Sequence, residues 1–136
     1  MIDYRTIYTT CPFCGTGCGM LLEVMNGRLA GVLPCKTNSI NEGKLCIKGW
    51  AAHEFVESPD RLKKPLLRKD GRLEEVEWDE ALSFIAARLK AITGEHGPDS
   101  FGALSSAKCT NEENYLLQKF TRAVIGTNNV DHCARL

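Results

Sequence analysis

The sequence lacks any excess of one charge and any long apolar run. Its 136 residues include 17 basic and 17 acidic side chains, so the formal net charge is zero. This balance argues against nucleic acid or a membrane surface as the main partner, because both attract basic proteins. No apolar stretch approaches the roughly 20 residues of a membrane span. Hydrophobic residues make up 43% of the chain, which is typical of a globular protein.

The sequence also lacks an export signal at its start. The first residues, Met1 to Arg5, show neither a charged region followed by an apolar core nor a twin arginine. Seven cysteines are an odd number, and without a secretory signal a disulfide framework is the poorer interpretation. We therefore expect a cytoplasmic protein whose reduced thiols bind a metal.

What the sequence does have is a group of closely spaced cysteines. Cys11, Cys14 and Cys18 follow the spacing Cys-x2-Cys-x3-Cys, and three glycines stand around Cys18. Thiolates bind zinc and iron, and glycines let backbone amides face the sulfides of a cluster. The pattern favours an iron–sulfur cluster over structural zinc, with plain buried thiols as a third possibility. Either Cys35 or Cys46 could supply the fourth ligand.

The first half of the chain predicts a small, mostly β unit. Residues 4–10 are rich in β-branched and aromatic types, as in a strand, and residues 20–25 and 28–33 flank Asn26-Gly27, which predicts a hairpin. A short helix is predicted over residues 50–57. A unit of this size cannot depend on its apolar core alone, and a cluster would supply cross-links.

A proline-bounded connector at residues 58–65 separates two predicted domains. Residues 1–57 form the first, a small α+β domain, and residues 58–136 form the second, the start of an α/β domain. The second domain opens with a predicted hairpin around Asp70-Gly71. A helix then follows, with Asp79 as its N-cap.

The end of the chain predicts one strand–helix–strand unit. Residues 100–105 suggest a buried strand, Thr110 and Glu113 suggest a capping box, and residues 129–131 begin another strand. Two strands and two helices cannot close the core of a parallel sheet. We therefore expect the chain to be a fragment, with several apolar residues packing against polypeptide that it does not contain, namely Phe101, Leu104, Leu117, Phe120 and Val124.

Several motifs together resemble the N-terminus of molybdopterin-dependent oxidoreductases, the bis-molybdopterin-guanine-dinucleotide enzymes. These are the Cys11-to-Cys18 group, Cys46 within Leu-Cys-Ile-Lys-Gly, Pro59-Asp60-Arg61-Leu62, and Trp78-Asp79-Glu80-Ala81. The resemblance covers essentially the whole chain. It implies the first two domains of the formate dehydrogenase/DMSO reductase superfamily, with the iron–sulfur domain first and the start of the α/β domain after it.

The resemblance implies a cofactor and its ligands. By it, Cys11, Cys14, Cys18 and Cys46 hold a [4Fe–4S] cluster, and Lys48 matches the lysine between that cluster and a pterin. An ammonium beside an anionic cluster stabilises the reduced state and offers donors to the pterin. The complete subunit would also bind bis-molybdopterin guanine dinucleotide with molybdenum or tungsten.

The last third of the chain is similar to the formate dehydrogenase branch in particular. The segments 105–107, 110–115, 118–120, 125–131 and 133–136 carry this likeness. In that branch the residue after Leu136 is the selenocysteine or cysteine that binds the metal. We therefore expect the chain to stop just before this ligand, and to have no formate activity alone.

The resemblance implies an enzyme that interconverts formate and carbon dioxide and passes electrons through the cluster. Its partners would be the rest of the catalytic subunit and iron–sulfur electron-transfer subunits, with a hydrogenase or a nicotinamide-reducing module as further possibilities. Two alternatives stay open. One is another enzyme of the superfamily, such as a nitrate reductase, and the other is a zinc-stapled binding module.

Other candidate residues lie outside the set of ligands that the resemblance implies. Cys35, Cys109 and Cys133 are expected to be packed free thiols. The histidines are isolated, and His132 is given no chemistry. The segment from Thr110 to Asn114 either contacts the pterin or serves as a capping box only.

Overall fold

The computed structural model describes residues 1–133 and divides them into two compact units. The first contains Met1–Arg61, Ser105–Leu116 and the described residues from His132, and the second contains Leu62–Leu104 and Leu117–Asp131. The boundary after residue 57 stays a prediction. The segment Ser105–Leu116, which the sequence placed in the second domain, belongs to the first unit by its contacts. Within the described part, no helix combines the length and apolar character that crossing a bilayer requires.

The first unit is built on a three-stranded antiparallel sheet. Its strands are β1 (Tyr4–Thr10), β2 (Gly19–Met25) and β3 (Arg28–Pro34), in the order β1-β2-β3. The predicted hairpin is present, since Asn26 and Gly27 have φ angles of 51° and 79°, as a type I′ turn requires.

The sheet carries the cysteine loop at one end. Thr10 pairs with Gly19, so residues 11–18 form the connection between β1 and β2. The core beneath it includes Cys11, Met20, Val32 and Ala52, with Cys18 and Leu45 partly buried against them. Two motif cysteines are therefore held by the same packing that holds the sheet.

Helix α1 is shorter and earlier than the predicted helix over residues 50–57. It covers Ile47–Trp50, and the residues after it form turns. The amides of Trp50 and Ala51 make helical bonds to the carbonyls of Cys46 and Ile47, at 3.1 and 3.0 Å. The amides of Ala52, Glu54 and Val56 reach only three residues back, which turns the chain too tightly to continue an α-helix. Cys46 consequently stands directly before α1.

The second unit opens with a hairpin and a long helix. Strands β4 (Leu66–Lys69) and β5 (Arg72–Glu75) pair antiparallel around the predicted turn. Helix α2 covers Trp78–His96 and ends at Gly97, whose φ is 80°. Glu77 is its N-cap, so the prediction of Asp79 there was wrong: Asp79 lies in the first turn, where its charge still favours the helix dipole.

The strand predicted over residues 100–105 is shorter than expected. A turn of 3-10 helix covers Pro98–Ser100, and strand β6 is Ala103–Ser105. It forms a two-stranded sheet with β7 (Val130–His132). Ala103 is buried, but Leu104 is 83% exposed, so this strand is not buried on both faces.

Helix α3 (Asn111–Phe120) begins with the predicted capping box. The Glu113 amide donates to Thr110 Oγ1 at 3.3 Å, and Glu113 Oε2 accepts from the Thr110 amide at 2.7 Å. The helix continues as a π-helical turn, Thr121–Ile125, because the Gly126 amide bonds to the Thr121 carbonyl five residues earlier. Gly126, with a φ of 91°, ends it.

Candidate metal centre

The cysteine loop is closed by its own backbone. The Cys11 amide donates to the Cys18 carbonyl at 2.8 Å, and the Gly17 amide donates to the Cys14 carbonyl at 3.4 Å. Gly17 has a φ of 68°, which L side chains rarely adopt. The three thiols are thus held in one short connection between two paired strands.

Four thiols share one electrostatic neighbourhood. The pKa of the Cys18 thiol is raised, first by burial and then by the negative charges that Cys11, Cys14 and Cys46 would carry as thiolates. Cys14 acts on Cys46 in the same way. The structure therefore brings Cys46 to the loop although 28 residues separate it from Cys18 in the chain.

Cys35 has a different environment from the loop thiols. It is buried, and its Sγ lies 3.3 Å from Thr37 Oγ1. The pKa of the Cys35 thiol is lowered, first by its hydrogen bond with the Thr37 hydroxyl and then by the nearby backbone amides. No loop cysteine contributes to that change. The Cys35 amide bonds to the Gly19 carbonyl at 3.1 Å, but of the two sequence candidates for a fourth ligand only the Cys46 thiol acts on the charge of a loop thiol.

Two of the four thiols are surrounded by groups that favour the thiolate. The pKa of the Cys14 thiol is lowered, first by the Thr16 hydroxyl, whose oxygen is 3.3 Å from Cys14 Sγ. The pKa of the Cys46 thiol is lowered, first by the backbone amides of Gly49 and Lys48. These amides belong to the first turn of α1, which Cys46 directly precedes.

Lys48 is half-buried and its ammonium acts on the same two thiols. It contributes to the lowered pKa of both Cys14 and Cys46. A single cation beside two thiolates partly balances the charge that a four-thiolate site accumulates. The role of Lys48 between two redox centres stays a prediction.

An asparagine that sequence reasoning missed joins the two cysteine segments. Asn41 is 7% exposed; its Oδ1 accepts from the Gly19 amide at 3.0 Å, and its Nδ2 donates to the carbonyls of Gly19 and Lys44 at 3.1 and 2.7 Å. Gly19 follows Cys18, and Lys44 comes two residues before Cys46. The only sequence signal is the place of Asn41 in a polar loop, which does not reveal such a contact.

A second asparagine reaches the loop from the start of α3. Asn111 Nδ2 donates to the Gly15 carbonyl at 3.1 Å, and a Cβ on Gly15 would lie 2.3 Å from Asn111 Oδ1. A cavity of about 100 Å³ is lined here by both segments, including Cys11, Cys14 and Thr110. The predicted capping box is therefore more than a helix start, because it lies beside the candidate ligands. Contact of this segment with a pterin stays a prediction.

The remaining cysteines lie outside this group of four. Cys133 Sγ is 3.4 Å from Ser106 Oγ, and the pKa of its thiol is lowered, first by that hydrogen bond. Among residues 1–133 all seven cysteines are free, and no three side chains converge closely enough to hold a single metal ion. The predicted metal ligand after Leu136 lies outside the described residues.

The four thiols fit an iron–sulfur cluster by their donor chemistry. Four cysteine thiolates are the usual ligands of a [4Fe–4S] cluster, each bound to a different iron. The backbone amides beside Cys46 and the ammonium of Lys48 are the donors and the positive charge that such an anionic group needs.

Family models match both parts of the chain. Residues 4–58 match the model described as "Molybdopterin oxidoreductase Fe4S4 domain", and residues 61–136 match the model described as "Molybdopterin oxidoreductase". The second match alone covers more than half of the 136 residues. The cofactors of this family are a [4Fe–4S] cluster and molybdopterin.

Curated relatives extend the same likeness. The chain is 57% identical, over 96% of its length, to an F420-dependent formate dehydrogenase 1 subunit alpha of Methanococcus maripaludis. It is 49% identical, over 99% of its length, to an F420-dependent formate dehydrogenase subunit alpha of Methanocaldococcus jannaschii, and 46% identical, over 93%, to a putative formate dehydrogenase of Staphylococcus aureus. It spans 19% of each archaeal relative and 13% of the bacterial one.

Proposed function

Because the chain belongs to the molybdopterin oxidoreductase family, we propose that it is the opening part of the catalytic subunit of a formate dehydrogenase. The relatives that carry this name are alpha subunits of which the chain covers about one fifth. The proposed activity therefore belongs to the complete subunit. In the proposed architecture residues 1–57 are the cluster domain, and residues 58–136 begin the α/β domain of the superfamily.

We assign Cys11, Cys14, Cys18 and Cys46 as the ligands of the cluster. The observation that carries the proposal is their shared electrostatic neighbourhood, which excludes Cys35 and includes Lys48. Three ligands come from the β1–β2 connection and the fourth from the residue before α1. Asn41 and Asn111 hold the connection from two other segments.

The proposed role of Lys48 is electrostatic. Its ammonium, which acts on Cys14 and Cys46, would stabilise an added electron on the bound group, and its three N–H donors would be available to a pterin edge. The amides of Gly49 and Lys48 act in the same direction at Cys46. These residues set the potential and the direction of electron flow, and they do not touch formate.

When bound, the metal–pterin centre supplies the carbon chemistry, in which formate loses one proton and two electrons to give carbon dioxide. This chain's thiolates would hold the cluster that takes up those electrons singly. The metal, molybdenum or tungsten, and its ligand after Leu136 belong to the complete subunit.

The partners that we propose are the rest of the catalytic subunit and a separate electron-transfer subunit. The two archaeal relatives are named F420-dependent, so we propose that a deazaflavin accepts the electrons. We prefer this acceptor to a nicotinamide-reducing or hydrogenase module. Seven free thiols suit a reducing compartment, and we propose the cytoplasm.

The test uses the full-length subunit, purified without oxygen together with its partner subunit. We expect about four irons and four sulfides from the cluster of this segment. We also expect formate-dependent reduction of a viologen dye, with no reduction when the residue after Leu136 is replaced by alanine. Nitrate is offered in parallel with reduced dye as the electron donor. Nitrate turnover without formate turnover would favour the other branch of the family, and zinc in place of iron would contradict the cluster assignment.

A further inference from the structure

We propose that Asn41 is a positioning residue that holds the peptide carrying Cys46 against the cysteine loop. The inference rests on the proposed cluster and concerns a side chain that binds no metal. Its three hydrogen bonds, given above, all go to backbone atoms. Its burial makes each of them costly to lose, because a buried polar group without a partner is destabilising.

The two peptides that Asn41 joins are the ones next to the ligands. Gly19 is adjacent to Cys18, and Lys44 precedes Cys46 by two residues. The side-chain amide of Asn41 accepts from the N–H and donates to the C=O of Gly19, as the backbone of a neighbouring strand would. The same amide also donates to the Lys44 carbonyl. The segment before Cys46 is thereby attached to the sheet although it is not a strand.

Neighbouring residues hold Asn41 itself in place. Asn38 Oδ1 accepts from the amides of Ile40 and Asn41, at 2.9 and 3.2 Å, and the Lys44 amide donates to the Asn41 carbonyl at 2.8 Å. Glu42 and Gly43 have φ angles of 47° and 76°, so the chain reverses tightly after Asn41. This turn aims the following residues back toward the loop.

An aspartate at this position has nearly the same shape but cannot donate. It could still accept from the Gly19 amide, but it would place a carboxylate oxygen against the carbonyls of Gly19 and Lys44. The segment would then move away from the sheet, and Cys46 would leave the bound cluster more often. All four thiols would still be present.

The experiment compares iron release from the full-length subunit, without oxygen, to an added chelator of ferrous iron. Asn41→Asp is the test variant. Lys44→Ala is the matched control, because the Lys44 side chain is 81% exposed and Lys44 bonds to Asn41 through its backbone. Val24→Ala is the second control, because Val24 is buried at the end of β2 far from the loop and lies outside the core that includes Cys11.

We expect Asn41→Asp to release iron at least about tenfold faster than the natural protein, and both controls to stay within about twofold. The reduction potential of the cluster should also shift in Asn41→Ser, which changes no charge, and should stay unchanged in Val24→Ala. If Asn41→Asp does not accumulate as folded protein, Asn41→Ser replaces it with the same expected ratio, because the shorter side chain spans neither carbonyl.

Equal release rates in Asn41→Asp and Lys44→Ala would overturn the inference. So would an equal acceleration in Val24→Ala, because Asn41 would then act through general stability. If the natural full-length subunit contained no iron–sulfur cluster, the proposed function would fail instead, before any variant was compared.

Discussion

Cys46 and Cys35 are the two residues whose roles the structure separates best. Cys46 directly precedes α1 and interacts electrostatically with Cys14 and Cys18, whereas the Cys35 thiol contacts Thr37. We expect Cys46→Ser in the full-length subunit to lose most of the iron of this cluster, which is about four atoms per chain. Cys35→Ser, the matched control, should keep it. Iron and sulfide analysis of anaerobic protein decides this, and the reverse ranking would contradict the ligand assignment.

Lys48 offers a second residue whose charge can be tested. Because its ammonium favours negative charge at Cys14 and Cys46, Lys48→Met should leave the cluster bound and lower its reduction potential. The expected change is roughly tens of millivolts, as for one charge a short distance away in a protein interior. Redox titration followed by visible absorption measures it. Lys48→Arg, which keeps the charge, should stay closer to the natural value.

An unchanged potential in Lys48→Met, together with unchanged formate turnover, would make Lys48 an ordinary loop lysine. Lost turnover with an unchanged potential would instead point to a contact beyond the cluster.

The function of a residue was predictable where the spacing of like residues indicates it, and was not predictable where it depends on contacts made by folding. The Cys-x2-Cys-x3-Cys group indicates metal binding by itself, but Asn41 and Asn111 are ordinary loop and helix residues in the sequence. Asn111 contacts Gly15 across 96 residues of chain, and no local pattern indicates such a pairing. Their role depends on which backbone atoms the fold brings beside them.

At the scale of elements, we expect the stability of the start of α3 to depend on pH. The pKa of Glu113 is lowered, first by the Thr110 amide and then by the Thr110 hydroxyl, so its charged form stabilises the helix start. A lowered folded pKa means that this stabilisation is complete above the unfolded value of about 4.3 and is lost as the pH falls through the folded pKa. Amide exchange at Asn111–Asn114 should therefore lose protection in that acidic range.

Variants of the two capping-box residues, Thr110 and Glu113, test this prediction. In Glu113→Gln the acid-dependent part of the loss should disappear, because no carboxylate titrates. Thr110→Ala should speed exchange about fivefold at neutral pH, as expected for the loss of an N-cap, and Thr110→Ser should not. Identical exchange in all variants would show that the capping box does not stabilise this helix start.

Elements were predictable where turn residues or strong periodicity decide them. Both hairpins form at Asn26-Gly27 and Asp70-Gly71, and all four residues have positive φ angles as expected. The failures are at places that depend on tertiary context. Helix α1 ends at Trp50 instead of beginning there, and the N-cap of α2 is Glu77, which makes no side-chain hydrogen bond to the helix. The π-helical turn at Thr121 has no signature that we recognised in the sequence.

At the scale of the whole molecule, the second unit has much uncovered apolar surface. A groove of about 480 Å³ is lined by apolar residues of α2, of the end of α3 and of the π-helical turn, among them Leu82, Ile85, Phe120 and Val124. Val124 is 70% exposed and Leu82 is 55% exposed. Exposed apolar patches of this kind promote association. We expect the 136-residue chain, expressed alone, to self-associate.

The double variant Leu82→Glu and Val124→Glu tests this expectation in both contexts. In the 136-residue chain it should shift light scattering toward the monomer, because the charges keep the groove from pairing. In the full-length subunit it should lower the thermal midpoint, because there other polypeptide would cover the groove. A monodisperse, cooperatively unfolding 136-residue monomer would contradict the prediction.

The contact between Asn111 and Gly15 also has a consequence for synthesis. A ribosome that adds about 5–20 residues per second needs roughly 5–20 s to extend the chain over those 96 residues. Within that interval the rest of the cysteine loop, strands β2 and β3 and Cys46 are made first, and the helix start that lies against Gly15 is made last. The loop therefore exists for several seconds with that side bare, and the chain closes it only when α3 has left the ribosome.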